Sequence, residues 1–128
     1  MKRILVDTHV LVWWLLDHPR LGKKSKSLLA NPANEVYVSA ASVWEISIKR
    51  EKGLLDLPEE VFEAIDESGF VPLPIGLFHG QQAGMLPKIH ADPFDRMLVA
   101  QAQAEGLELM TVNADIFKYG IRVLDAGR

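Results

Sequence analysis

The amino-acid sequence predicts an α/β protein: a three-layer α/β/α arrangement around a mostly parallel central sheet. Three observations carry this expectation. Short, partly β-branched apolar runs alternate with helical stretches along the chain, the order that builds a parallel sheet with helices on its faces. The first run, Ile4-Leu5-Val6, is apolar at consecutive positions and bounded by polar residues, as suits a strand buried on both faces. The 128 residues leave room for one hydrophobic core, so a single domain spanning 1–128 is expected, and no linker, repeat or low-complexity segment divides it.

The elements follow from local punctuation. The first strand ends at Asp7, where Thr8 is a candidate cap for a helix from His9 to about Leu16, with Trp13, Trp14, Leu15 and Leu16 as core candidates. Pro19 and Gly22 interrupt the chain before a helix over Lys23–Ala30, which Asn31-Pro32 stops. Val36–Val38 reads as a strand, Ser39 as a cap, and Ala40–Lys52 as a helix closed by Gly53. Pro58 followed by Glu59 and Glu60 opens a further helix that Gly69 ends. Phe70–Ile75 is strand-like, but Pro72 and Pro74 confine it to an edge, because proline donates no ladder hydrogen bond. A weaker helix covers Gly76–Met85 and a loop covers Leu86–Ala91. Asp92-Pro93-Phe94-Asp95 is the strongest helix start in the chain, with a capping Asp92, proline at the first position and an acid at the third; this helix runs to Glu105 and stops at Gly106. Leu107–Thr111 is a strand, Asn113–Lys118 a turn or short helix, and Ile121–Leu124 the last strand.

Composition removes several function classes. Hydrophobic residues at 48% and charged residues at 24% exclude intrinsic disorder, and the absence of cysteine excludes disulfide scaffolds, cysteine–zinc sites and thiol catalysis. The start, MKRILVDTHVLVWWLLDHP, imitates a signal peptide, yet Asp7 and His9 interrupt it and no small-residue cleavage pattern follows. Its longest apolar run, Val10–Leu16, falls far short of the roughly 20 residues of a membrane span. A cytoplasmic protein without a membrane partner is expected.

Chemistry in a parallel sheet collects beyond the carboxyl ends of the strands, which singles out Asp7 and the residues after Thr111. Asp7 has a plainer role available as part of the cap of the helix that follows. Glu45 lies in an otherwise apolar helix, sharing a face with Ala41 and Ile48; its plainer role is an i,i+4 pair with Lys49 on a solvated face. Asp95 heads a stripe continued by Leu98, Val99 and Ala102, with no lysine or arginine on that face and Arg96 pointing about 100° away. An ionised carboxylate there needs a partner, and a metal ion is the economical one; the plainer role open to Asp95, as the third helical residue, is in the cap. Asn113 and Asp115 also read as turn residues with self-satisfied side chains. Oxygen donors without cysteine or paired histidines suit a hard ion, Mg²⁺ or Mn²⁺. His9, His18, His79 and His90 have no metal-ligand spacing and read as surface or hydrogen-bonding residues, with only His90 near a candidate acid.

LVDTHVLVWWL at the start, SAASVWEISIK in the middle, HADPFDRMLVAQAQAEGLELMT toward the end and the final Tyr119-Gly120 together resemble a PIN-domain (PilT N-terminus) ribonuclease of the VapC toxin type, in order and along nearly the whole chain. The resemblance implies a metal-dependent endoribonuclease, the toxin of a toxin–antitoxin pair, with Asp7, Glu45 and Asp95 as the acidic cluster holding Mg²⁺, for which Mn²⁺ substitutes. The family's fourth acidic position falls on Asn113, two residues after Thr111; asparagine offers one carbonyl oxygen and no charge, and Asp115 replaces it only if the turn brings it inward. Thr8, Ser42 and Asn113 are expected to orient ligands or bond the phosphate, with Thr111 in support. The resemblance further implies a homodimer and a small antitoxin whose C-terminal segment blocks the acidic groove. Trp13, Trp14 and Phe62 are interface candidates, with core as the commoner fate of such residues.

Two rivals remain at this stage. A Mg²⁺-dependent phosphohydrolase using Asp7 would usually carry a second Asp two residues on, where this chain has His9. A non-catalytic RNA- or protein-binding module with vestigial acids is favoured only by Asn113. The net charge of −3 speaks against a uniformly basic binder, but without the three cluster acids the chain is balanced. Arg20 to Lys52 alone carries a net +4, a basic flank of the kind that phosphate binding needs.

Overall fold

A computed structural model describes residues 1–128. In chain order the elements are β1 (Arg3–Val6), α1 (Thr8–Leu16), α2 (Lys23–Ala30), β2 (Glu35–Ser39), α3 (Ala40–Glu51), α4 (Val61–Glu67), β3 (Val71–Leu73), α5 (Leu77–Met85), α6 (Pro93–Glu105), β4 (Glu108–Thr111), a 3₁₀ turn (Ile116–Tyr119) and β5 (Val123–Asp125). The five strands form one sheet in the order β3-β2-β1-β4-β5, every pairing parallel. β3 is an edge strand, as its prolines require.

Alternation along β1 divides the core into two layers. Ile4 and Val6 face a cluster built from α1, α2, α3 and α4, including Leu11, Trp13, Leu29, Ile46 and Ile65. Leu5 faces the other cluster, made by α6, β4 and the 3₁₀ turn with Leu98, Val99, Ala102, Leu109 and Ile116. Ile4, Leu5 and Val6 are all fully buried, so the run of consecutive apolar residues is the signature of a strand covered on both faces. Trp13 belongs to the core, and Trp14 and Phe62 pack half-buried against it. Trp44, by contrast, is 60% exposed and sets its edge against Phe94 at 5.4 Å, joining α3 to the start of α6. No helix is long and apolar enough to cross a membrane.

Several boundaries differ from the expectation for identifiable reasons. Asp7, not Thr8, caps α1: its Oδ1 accepts from Val10 N at 2.8 Å, and Thr8 becomes the first helical residue. Pro58 starts a turn in which Val61 N donates to Pro58 O at 3.1 Å, and α4 begins only after it, without a side-chain cap. The last strand begins two residues late, because Gly120, at φ 73°, turns the chain first.

The chain runs outward from β1 through β2 to β3 on one side, then returns to β4 and β5 on the other. The strand order therefore reverses between β1 and β4, and the crevice beyond their carboxyl ends is where such a sheet leaves space for a ligand.

Candidate active site

Asp7 stands at that crevice, placed by β1 and held by β4 and α1. Its Oδ2 accepts a 2.5 Å hydrogen bond from Thr111 Oγ1 at the end of β4, and its Oδ1 takes the cap bond from Val10 N. Thr111 Oγ1 in turn accepts from Asn113 N at 3.0 Å, so one hydroxyl fixes both the carboxylate and the turn after β4. Asp7 is only 3% exposed. Burial raises its pKa from the ordinary value of 3.8, the nearby Asp95 charge adds to the rise, and the Thr111 and Val10 bonds offset part of it.

Asp95 comes from the first turn of α6, whose start is fixed by Asp92 Oδ1 accepting from Phe94 N at 2.8 Å and from Asp95 N at 3.3 Å. Burial raises the Asp95 pKa as well, with the fields of Asp92 and Glu45 acting in the same direction and His90 acting against them. The α6 face holds no lysine or arginine partner for Asp95, but the preceding loop supplies one: His90 Nε2 lies 2.8 Å from Asp95 Oδ2. Asn113 Nδ2 reaches the same His90 nitrogen at 3.2 Å and Asp95 Oδ2 at 3.4 Å.

Asp7, Asp95 and Asn113 line one cleft of about 220 Å³, together with His9, Trp13, Val112 and Arg20. A larger groove of about 400 Å³ lies between α3, α4 and β3, but its lining is Val43, Phe62, Ile65, Phe70 and similar residues with Asp66 alone titratable, so the titratable groups gather at the smaller cleft. The remaining expected residues are distributed around it. Glu45 does not line the cleft; it is 5% exposed and pairs with Lys49 Nζ at 2.8 Å, an i,i+4 pair that is buried on the acid's side rather than solvated. Thr8 Oγ1 donates to Ser42 Oγ at 3.0 Å, tying α1 to α3 beneath the site. Asp115 turns away: its N donates to Asn113 Oδ1 at 3.0 Å and its carboxylate meets Lys118 at 3.3 Å. It does not stand in for the missing fourth acid.

Sequence reasoning missed the cleft's cationic wall. Arg20 follows α1 in a turn and its guanidinium has no ion pair or hydrogen bond within the chain, while His9 faces the cleft from the first turn of α1. The only sequence signal for Arg20 was its membership of the basic stretch from Arg20 to Lys52.

The donor set fits a divalent cation. Asp7 and Asp95 are carboxylates with no lysine or arginine partner, both raised by burial, and a divalent cation held by them would relieve that cost. A pH dependence follows. In cation-free protein the folded state binds these protons more tightly than the unfolded chain, so stability falls as pH rises from the ordinary carboxylate range through the raised folded values, and recovers on acidification. Thermal melts in EDTA across this window are expected to show that slope, and Asp95→Asn to flatten it; a wild-type slope of the opposite sign would count against the shift.

Known proteins place this architecture. A family model described as PIN domain matches residues 4–121. Ribonuclease VapC22 of Mycobacterium tuberculosis is 25% identical over 122 residues, covering 87% of each chain. Among solved structures, VapBC2 from Rickettsia felis, bound to a DNA fragment from its promoter, aligns with a TM-score of 0.74 at 17% identity over 96% of this chain and 98% of that one. DNA-bound VapBC from Salmonella typhimurium gives 0.71 at 20% over 98% of both chains, and VapBC-1 from nontypeable Haemophilus influenzae 0.69 at 20% over 99% and 100%. With a match that runs from within β1 to the turn before β5, the chain belongs to the PIN domain family.

Proposed function

We propose that this chain is a single-domain endoribonuclease of the VapC kind, the toxin of a toxin–antitoxin pair, cutting RNA phosphodiester bonds with Mg²⁺ held by Asp7, Glu45 and Asp95. The observation that carries it is the meeting of the buried Asp7 carboxylate and the half-buried, His90-bonded Asp95 carboxylate, neither with a lysine or arginine partner, with an unpaired arginine on the wall of one cleft at the switch point of a parallel sheet. Ribonuclease VapC22 and the VapBC complexes support the substrate and the antitoxin partner. When bound, Mg²⁺ supplies Lewis-acid stabilisation of the developing phosphate charge and lowers the pKa of a coordinated water.

The chain's own residues supply position and charge. Thr111 fixes the Asp7 carboxylate from the adjacent strand, and the Trp44–Phe94 contact joins the helices carrying Glu45 and Asp95. Glu45 bears on Asp95 through its charge and completes the cluster when its bond to Lys49 yields. Asn113 contributes a neutral amide at the fourth position. Arg20 offers a guanidinium to a phosphate oxygen beside the acids, the charge-assisted bond that positions a nucleic-acid backbone. An antitoxin segment placing a basic side chain among the carboxylates blocks the same cleft, and a homodimer and cytoplasmic location accompany this reading.

The test is cleavage of total RNA by purified, antitoxin-free protein with Mg²⁺. Activity that survives EDTA or the double change Asp7→Asn with Asp95→Asn would overturn the metal mechanism, and Mg²⁺ binding without cleavage would favour a binding module. Arg20→Ala is expected to weaken binding of single-stranded RNA roughly tenfold, the size of one charge-assisted bond, and to reduce the salt slope by about 0.7. Binding titrations across a salt series check it; an unchanged slope removes Arg20 from the phosphate path.

A further inference from the structure

His9 stands on a ridge between two hollows. Its ring lines the acidic cleft on one side and, on the other, a separate pocket of about 310 Å³ that it shares with Thr8, Val12, Lys49, Leu54 and Leu55. The imidazole is exposed and has no hydrogen bond or ion pair within the chain; it lies tilted at 49° to Trp13, with 6.4 Å between ring centres, and Trp13 in turn stacks on His18 at 6.0 Å. An aromatic neighbour therefore orients the ring, and both of its nitrogens stay free for a ligand.

The opposite lip of the pocket is set by the way α3 ends. Leu54 N donates to Lys49 O at 2.9 Å and Gly53 N to Arg50 O at 3.0 Å, with Gly53 at φ 71°, the paired bonds of a Schellman turn. In such a turn an apolar residue at the Leu54 position commonly packs back onto its helix, whereas Leu54 is 71% exposed at the pocket's lip. Arg50 Nε donates to Leu57 O at 2.6 Å and holds the loop that follows, so Leu54 is presented by a fixed backbone. Val12 and Leu55 pack against the core and give the pocket an apolar floor. Its permanent cation is Lys49, whose one counter-charge is the buried Glu45.

We propose that this pocket takes an unpaired nucleobase of the RNA, next to the phosphate that binds at the acidic cleft, with His9 and Leu54 holding the base and Lys49 its phosphate or polar edge. A nucleobase is a flat ring with apolar faces, a polar edge and an attached anion, and each part has a counterpart here; bases of single-stranded RNA are held in general by stacking on such side chains, histidine among them. Continuity with the cleft through His9 favours a strand that crosses from one hollow to the other. Charge points the same way. Once Glu45 turns to the cation, Lys49 needs another anion, which a phosphate supplies and an apolar segment or a second copy of Leu54 does not. The inference rests on the RNA reading of the cleft and adds to it the place of the base.

Nuclear magnetic resonance of full-length protein carrying labelled histidine rings and leucine methyl groups tests it. Wild type in EDTA, and in parallel the cleavage-dead Asp7→Asn with Asp95→Asn chain, are titrated up to millimolar strand with a single-stranded oligoribonucleotide of mixed sequence, an abasic ribose-phosphate strand of the same length, and a duplex of the same sequence. The expected result is an upfield shift of the His9 ring and Leu54 methyl signals with the single strand, because a stacked base imposes its ring current, and none with the abasic strand or the duplex. His9→Ala and Leu54→Ser, both at exposed positions, assign those signals by their loss. Each should weaken binding of the single strand about tenfold and leave binding of the equally charged abasic strand unchanged. Shifts that the abasic strand reproduces, or no base-dependent shift in either protein, overturn the proposal. Leu54 signals that move with protein concentration and not with RNA assign the pocket to a second copy and overturn it too. RNA cleavage with Mg²⁺ scores the enzymatic reading separately: base-dependent shifts without cleavage defeat that reading and leave the pocket standing, and cleavage without such shifts defeats the pocket alone.

Discussion

Asp7→Asn and Asp95→Asn are each expected to lower Mg²⁺-dependent RNA cleavage by about a thousandfold or more, while cation-free protein remains at least as stable as wild type. The first half follows from what a carboxylate pair does for a cation worth several kcal/mol of transition-state stabilisation, at about 1.4 kcal/mol per tenfold in rate. The second half follows from burial. Both carboxyls are held above their ordinary range because the charged form is poorly solvated, so a neutral amide of the same shape removes a cost from the cation-free fold. At position 7 the amide also keeps the helix cap, since asparagine caps about as well as aspartate. Single-turnover cleavage and thermal melts in EDTA, run on the same preparations, check both halves. A variant that loses activity only in proportion to lost folded protein would place these acids in the scaffold instead.

How far the sequence reveals such a site depends on how local each cause is. Asp92-Pro93 and Gly106 delimit α6 because cap, proline and left-handed glycine act within a few residues of the backbone they shape, and both ends of the helix stand where those signals put them. Asp7 is legible for a related reason: an acid directly after a buried parallel strand lies at the sheet's carboxyl edge whatever the rest of the chain does. Arg20 and His90 are not legible in this way. Arg20 reaches the cleft only because α1 and its following turn fold back over β1 and β4, and nothing near position 20 specifies that return. Spacing rules reach only partners on Asp95's own helix, whereas its partner His90 comes from a loop pinned by Arg96 through carbonyls of Ala83, Leu86, Pro87 and His90. Main-chain carbonyls carry no sequence identity, so such a clamp leaves no motif. Glu45 falls between the cases: its bond to Lys49 follows from i,i+4 spacing, but its burial depends on α3 packing against α6.

Leu98→Ala is expected to show the converse behaviour, a large loss of stability with a modest effect on the chemistry. Leu98 is fully buried one turn after Asp95, in a helix where residues 98–102 are all buried because α6 packs against α5, α3 and the sheet together. Surroundings shared among several elements cannot collapse onto a smaller side chain without moving one of them, so the cost is about 2–5 kcal/mol, a large share of the 5–15 kcal/mol that holds a typical domain. For a chain of this size that corresponds to a fall in Tm of about 10 °C or more. Asp95 should nevertheless stay in place below the new transition, because its position is set at the helix start by Asp92 and Pro93 and by His90 from the loop. Cleavage measured at 15 °C should therefore stay within about tenfold of wild type, against about a thousandfold loss in Asp95→Asn. A thousandfold loss in Leu98→Ala at a temperature where it is fully folded would mean instead that packing along α6, and not its capped first turn, sets the position of Asp95.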